Sequence, residues 1–353
     1  MRIGIDVMGG DNAPDAILAG SLDALSLLSP QDHLVLIGDE AIIRDTLAER
    51  ALKSETRIVI EPTTQVIGMS DPPVTSLRNR PDSSMVRMAQ MGGHRHSDGK
   101  HCDVIISAGN TGACVAAVQM EMRRLPGVHR PGFAVTLPSF FGPIVVCDVG
   151  ANPEPKPHHL HQYGHMAAVY YERIVGGKKP RVALLSIGGE EGKGNTLVKE
   201  ASRLMKGDGT LNYTGYIEGR DMFEGKAEVV ITEGFTGNVV LKLAEGMGTG
   251  LFKMIAREIF EIDPDLAMRF EPVVKSIYKK HDYHEYGGAP LLGANGIFMK
   301  CHGSSEARTI KAAIRNCLEY ARLGVNEGII QTLAAAHILR GGPTAENSVP
   351  ENA

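Results

Sequence analysis

The feature that most constrains this chain is a recurring boundary: a short run rich in Val and Ile ends, a glycine-bearing polar turn follows, and a helical pattern begins. The candidate strands are Arg2–Val7, His33–Ile37, Arg57–Ile60, Asp103–Ser107, Gly132–Leu137, Ile144–Asp148, Arg181–Ser186 and Ala227–Thr232. Several are apolar without alternation, as expected of strands covered on both faces. Between them run helical patterns such as Pro14–Leu28 and Ala41–Ala51, with Asn12 placed as an N-cap and Pro14 in the first turn. Strand–helix alternation of this kind predicts an α/β fold on a mostly parallel sheet.

The 353 residues suffice for one large domain or two closely joined lobes, and no linker composition cuts the chain. The expectation is a single α/β domain over residues 1–340, built of two interleaved lobes, and a disordered polar tail over 341–353. The stretch His94–His101 reads as a surface loop. A hydrophobic content of 43% and a charged content of 22% are those of an ordinary globular protein. A net charge of −4 gives no global basic field, which argues against nucleic acid as a partner. The five cysteines form no C-x-x-C pair, so neither a disulfide framework nor a zinc knuckle is expected, and a reducing cytoplasm fits. Met1–Asp6 reads as a strand rather than a secretory leader, and no run of about 18 apolar residues is present to span a membrane.

The chemistry is expected in the turns. They are Met8-Gly9-Gly10-Asp11-Asn12, Ala108-Gly109-Asn110-Thr111-Gly112, Val149-Gly150-Ala151-Asn152, Ile187 through Lys193-Gly194-Asn195, and Glu233-Gly234-Phe235-Thr236-Gly237-Asn238. In an open parallel sheet the carboxyl ends of the strands share a rim where ligands bind. Glycine admits close approach of backbone N–H groups, and the following helix offers unpaired donors. Together the turns predict one anion site. The segment around Lys193 is not a nucleotide P-loop: Ile187 stands where the first Gly is needed and Gly194 where Ser or Thr is needed. A single phosphate held by Lys193 remains consistent. Gly9-Gly10-Asp11 lacks the dinucleotide spacing, which disfavours an oxidoreductase.

Read in order, these motifs resemble the PlsX family of phosphate acyltransferases from about Met1 to Arg322. The resemblance rests on Ile5–Pro14, Pro81-Asp82-Ser83-Ser84-Met85, Ser107–Ala113, Asp148–Asn152, Glu190–Asn195, Gly234–Val239, Glu285–Gly293 and His302-Gly303-Ser304-Ser305. It implies a Rossmann-like α/β/α sandwich similar to the isocitrate and isopropylmalate dehydrogenases, but with no cofactor and no metal. The implied reaction moves a fatty acyl group from acyl-acyl-carrier protein to inorganic phosphate, giving acyl phosphate for phospholipid synthesis. The family also implies a cytoplasmic homodimer that associates reversibly with the inner face of the membrane and supplies a membrane glycerol-3-phosphate acyltransferase. Carried over by position, Lys193 and Asn238 are the expected catalytic residues. Gly9, Gly10, Asp11, Asn110, Thr111, Asp148, Asn152, Gly194, Asn195, His302 and Ser304 are the expected phosphate and substrate contacts, with Asp11 and Asp148 orienting donors. Asn12 stands where the family usually has His. A rival within the same chemistry is a short-chain acyltransferase using CoA; a rival outside it is a non-catalytic scaffold at a lipid surface.

Three further features need separate readings. His158, His159, His161 and His165 look like a metal cluster, with His161 and His165 at i,i+4, but the resemblance makes this a helix start without a metal. Cys114 lies on the apolar side of its helix and reads as a buried, inert thiol rather than a nucleophile. A helical stripe through Val240, Leu243, Met247, Leu251, Met254 and Ile255 continues through Leu266, Phe270, Val273, Val274 and Ile277, beside Lys275, Lys279 and Lys280. It reads as a dimer core, or as a tip touching anionic lipid or the acidic carrier protein.

Overall fold

A computed structural model describes residues 1–93, 99–280 and 287–336. The expected tail over 341–353, most of the loop at 94–101, Glu285-Tyr286 of the family motif, and the side chains of 275–280 with the three stripe lysines lie outside the described residues. One sheet of eleven strands runs in the order β3-β2-β1-β4-β11-β10-β5-β6-β9-β7-β8. The strands are β1 Arg2–Asp6, β2 His33–Gly38, β3 Ile58–Pro62, β4 Val104–Ser107, β5 Gly132–Leu137, β6 Ile144–Cys147, β7 Val182–Leu185, β8 Tyr213–Ile217, β9 Val229–Ile231, β10 Ala289–Leu292 and β11 Ile297–Lys300.

All the expected strands are present to within a residue or two. The sequence reading misses β8, β10 and β11. β8 is a half-exposed edge strand containing Gly215 and lacks a continuous apolar run. β10 and β11 are only four residues each and sit inside glycine-rich motifs that read as loop.

Strand direction corrects the expectation of a single shared rim. β3, β2, β1, β4 and β11 are mutually parallel, and so are β6, β9, β7 and β8. Between these blocks β10 is antiparallel to β11 and to β5, and β5 is antiparallel to β6. Three successive reversals make the two parallel blocks run in opposite senses, so their carboxyl ends cannot line one edge.

The helices are α1 Asp15–Asp23, α2 Glu40–Glu49, α3 Pro73–Asn79, α4 Ser84–Gly92, α5 Thr111–Glu121, α6 Pro157–Tyr170, α7 Thr196–Lys206, α8 Gly234–Ile262, α9 Pro264–Lys280, α10 Ala307–Arg322 and α11 Val325–Ala335. Several begin where a side-chain oxygen takes an orphan backbone N–H. Asp39 caps α2, Asn110 caps α5, Asn195 caps α7 and Glu233 caps α8. Asn12 does not cap α1, contrary to the sequence expectation. Its amide donates to the carbonyls of Ser304 and Ser305 at 3.1 and 3.4 Å, tying the β1 turn to the β11 turn. α1 and α10 cover one face of the first block over Ile3, Ile5, Leu34 and Ile314, and α4 and α5 cover the other over Ile105, Met88 and Val118. α6, α7 and α11 cover the second block over Tyr163, Leu184 and Val229.

Candidate active site

The two blocks meet over β5 and β10, and there a cavity of about 430 Å³ opens. Its floor is Phe133 and Val135 of β5 with Val149. One wall comes from the first block: Asp11 after β1, Thr111 and Gly112 at the start of α5, Lys300 at the end of β11 with Cys301, His302 and Gly303 after it, and Thr309 in the first turn of α10. The facing wall comes from the second block: Gly150 after β6, and Asn238, Leu241, Lys242 and Glu245 on α8. Turns that end strands of opposite sense therefore confront each other across an apolar floor.

The first wall is built on a buried carboxylate. Asp6, at the end of β1, accepts from Ser107 Oγ at 2.7 Å, and that oxygen accepts from Gly109 N at 3.0 Å. Burial pushes the Asp6 carboxyl up, against its hydrogen bonds. A Cβ on Gly9 would stand 2.4 Å from Asp6 Oδ2, so only glycine lets the β1 turn fold onto this pair. Asp11 N donates to Gly303 O at 2.8 Å, which joins the β1 and β11 turns. Asn110 spends its whole side chain on structure: Oδ1 accepts from Ala113 N at 3.1 Å, and Nδ2 donates to Met69 O and Asp71 O at 2.8 and 3.1 Å. Thr111, the next residue, faces the cavity.

The second wall is organised by Asp148, which is fully buried. Its Oδ1 accepts from the N–H groups of Phe133, Gly150 and Ala151 at 2.9, 3.2 and 3.0 Å. Its Oδ2 accepts from Asn152 N at 2.8 Å and from Asn152 Nδ2 at 3.1 Å. Burial pushes this carboxyl up while the donors pull it down. The Asn152 amide also donates to Pro131 O at 2.7 Å and meets Tyr163 Oη at 2.9 Å. Asp148 and Asn152 thus hold the turn from below and lie outside the cavity lining. The point where a Cβ on Gly150 would stand lies 3.8 Å from Asn238 Cβ, so Gly150 leaves the Asn238 side chain open to the cavity.

The other expected residues are divided. Asn195 accepts from Val198 N at 3.0 Å as the α7 cap. Lys193 and Gly194 lie on the turn after β7, the neighbour of β9 in the sheet, and Lys193 is exposed and outside the cavity lining. His302 lines the cavity, and its Nδ1 meets Ser304 Oγ at 2.8 Å and accepts from Ser304 N at 3.2 Å. A backbone N–H can only donate, so in this contact Nδ1 serves as the acceptor.

Sequence reasoning missed Lys300. It ends β11 and is 8% exposed, and it is one of the residues that line the cavity. Its ammonium donates to Cys301 O, and no carboxylate among the described residues stands at ion-pair distance. Burial pushes its pKa down, partly opposed by the fields of Cys114, Cys301, Asp6 and Asp11. The available signal was a lysine closing the apolar run Ile297-Phe298-Met299, directly before Cys301-His302-Gly303.

The four histidines do not converge on one point. His129, His158 and His159 stack edge to face at the start of α6, with centroids 4.8 and 4.3 Å apart along the series. His161 and His165 both turn to Asp208 Oδ2, at 2.7 and 2.6 Å, bracing α6 against the loop after α7. Thr210 holds the other oxygen of Asp208. Cys114 is fully buried, and burial pushes its thiol up to about 11, which leaves no thiolate for nucleophilic work.

Comparison with known proteins follows the same lines. Two solved phosphotransacetylases, from Staphylococcus aureus and Streptococcus pyogenes, share the fold with TM-scores of 0.56 and 0.57. They are each 14% identical and are covered over 94% of their length, with 92% and 95% of this chain matched. A phosphate acyltransferase of Heliobacterium modesticaldum is 41% identical over 335 residues, covering 94% of this chain and 96% of that protein. A phosphate acyltransferase of Nitratidesulfovibrio vulgaris is 39% identical over 338 residues, covering 94% and 95%. The family described as "Fatty acid synthesis protein" matches residues 1–328, and the chain belongs to that family, together with the curated phosphate acyltransferases that align with it from end to end.

Proposed function

We propose that this protein is an acyltransferase that moves a fatty acyl group from acyl-acyl-carrier protein to inorganic phosphate, releasing acyl phosphate and the free carrier thiol. The observation that carries the reading is the confrontation of Asn238 with Asp11 and Thr111 in one cavity, over the apolar floor of Phe133 and Val135. A phosphate oxygen attacks the thioester carbonyl, the carbon–oxygen bond forms, the carbon–sulfur bond breaks, and the phosphate's own proton goes to the departing thiolate. Asn238 donates its amide to the carbonyl oxygen as charge develops there. The apolar floor and Leu241 accept the start of the acyl chain. Positioning and charge stabilisation supply the rate, because a thiol leaves readily. Lys193, on the strand-end turn beside that of Asn238, is proposed to meet the donor's phosphorylated arm or the phosphate as the site fills.

The long α8 exposes Leu243, Met247, Leu251 and Met254 along one stripe. This supports a homodimer and, at the α8–α9 tip around Phe260 and Ile262, reversible contact with a membrane. No helix of the described residues is long and apolar enough to cross a membrane. The decisive experiment incubates the purified chain with palmitoyl-acyl-carrier protein and labelled phosphate. Labelled palmitoyl phosphate is the expected product; turnover only with short acyl-CoA, or none with either donor, overturns the reading.

A further inference from the structure

We infer that Lys300, with the amino-terminal turns of α5 and α10, forms the orthophosphate subsite, so that the first block holds the phosphate while the second holds the acyl donor. The inference rests on the proposed reaction for the identity of the anion, and on geometry for its place. A lysine more than nine-tenths buried loses most of its hydration, and a single backbone carbonyl replaces little of it. The nearby acids compensate poorly. Asp6 is itself buried, bonded to Ser107 and pushed towards its neutral form, and Asp11 is exposed. The remaining titratable neighbours, Cys114 and Cys301, are thiols that burial keeps protonated. The cation is therefore short of negative charge, and its residue lines the cavity.

What surrounds it suits an oxyanion. Thr111 and Gly112 open α5, and Thr309 lies in the first turn of α10, so two helix amino termini reach the same wall as Lys300. The facing wall holds Asn238 with Lys242 and Glu245, a cation and an acid whose charges offset each other, and Lys242 is exposed where Lys300 is buried; Asp11, the acid on the first wall, is exposed to solvent. Lys193 is exposed outside the lining and does not provide this charge within the cavity.

The test combines steady-state kinetics with thermal melts of the full chain over a titration of inorganic phosphate. Wild-type protein should gain melting temperature with phosphate, as any ligand of the native state requires. Lys300→Met should lose that gain and raise the phosphate KM roughly 30-fold or more, the size expected for a lost charge-assisted hydrogen bond. Its melting point without phosphate should hold or rise, since an uncompensated buried charge is removed. If Met is not tolerated, Lys300→Gln goes through the same measurements. Asn238→Ala should keep the phosphate-dependent gain. A Lys300 variant with unchanged phosphate KM and unchanged phosphate stabilisation overturns the subsite while the reaction stands. Phosphate binding that depends on Lys300 in a protein forming no acyl phosphate leaves the subsite and removes the reaction.

Discussion

The position a Cβ would take on Gly237 lies 1.9 Å from the carbonyl oxygen of Asp148. The first turn of α8 is therefore seated directly on the β6 turn, and Gly234 packs on the backbone of Asn152, where a Cβ would stand 2.8 Å from the carbonyl. This seating fixes where Asn238, the next residue, can point. Gly237→Ala must push the α8 start away from β6. It is expected to cost at least about 2 kcal/mol of stability and to lower kcat more than a hundredfold, read by denaturant unfolding and by acyl phosphate formation. An alanine variant with native kinetics would show that this contact does not set the site.

Asn238 itself should behave differently. Asn238 lines the cavity, and its side chain holds no hydrogen bond among the described residues. Asn238→Ala is expected to lower kcat by roughly a hundred- to a thousandfold, the usual loss for one oxyanion donor. Stability should change by less than about 1 kcal/mol. A change confined to KM, with kcat intact, would remove Asn238 from the step in which charge develops.

Asp148 makes the opposite case, a residue that supports the site without entering it. Its carboxylate takes five hydrogen bonds, from Phe133, Gly150 and Ala151 on one oxygen and from Asn152 twice on the other. In Asp148→Asn an amide NH2 must face donors on one side, leaving buried N–H groups unpaired. A loss of about 3 kcal/mol or more is expected, with activity per folded molecule falling because Gly150 is no longer held. A variant of native stability would contradict this account of the turn.

The sequence makes much of this legible, for physical reasons. A strand covered on both faces must be continuously apolar, so Val104–Ser107 and Ile144–Cys147 announce themselves. A tight strand-to-helix turn needs glycine and a capping Asn or Asp, so the Asn110, Asp148 and Asn238 turns do too. What is hidden is relative direction. Nothing in Gly132–Leu137 distinguishes a parallel from an antiparallel partner, and the reversal through β11, β10, β5 and β6 reorients half the sheet. Lys300 is hidden for a related reason: a lysine at a strand end ordinarily reaches solvent, and here the packing of β4, β10 and α10 around β11 encloses it. Polar residues have two uses that spacing cannot separate. Asn110, Asn152 and Asn195 are consumed by caps and turns, whereas Asn238, in a stretch of similar composition that folds as the start of α8, remains open.

The start of α6 predicts a pH dependence of stability. Burial, then the neighbouring His158, Arg130, His129 and Lys156, push His159 down from an ordinary 6.5 to about 4. Its Nδ1 accepts the Lys156 N–H at 2.9 Å, which requires the unprotonated atom. The unfolded chain binds this proton near pH 6.5 and the folded chain does not, so the stability it lends is complete above 6.5 and lost as pH falls towards 4. His158 and His165 are pushed down as well, chiefly by burial, and act in the same direction. Stability measured by denaturant should fall between pH 7.5 and 5, with on the order of 2 kcal/mol from His159. His159→Asn should flatten part of that slope; an unchanged slope would place the proton elsewhere.

The exposed helix pair separates the two roles proposed for it by distance. α8 has 29 residues and so extends on the order of 40 Å from Asn238's end to its tip at Ile262. Leu251, midway, is 53% exposed, and Ile262, at the tip, is 78% exposed. An apolar stripe along a helix flank is matched by a second copy of itself, whereas an apolar point at a helix turn suits a lipid surface. Leu251→Glu is therefore expected to convert a dimer to monomer in sedimentation, because a carboxylate in such a seam is buried without a partner. Ile262→Glu should leave the dimer and turnover with soluble donor intact, and should weaken flotation with anionic vesicles several-fold. If Ile262→Glu instead dissociates the dimer and vesicle binding does not change, the tip belongs to the subunit interface and the membrane contact must be sought on another face.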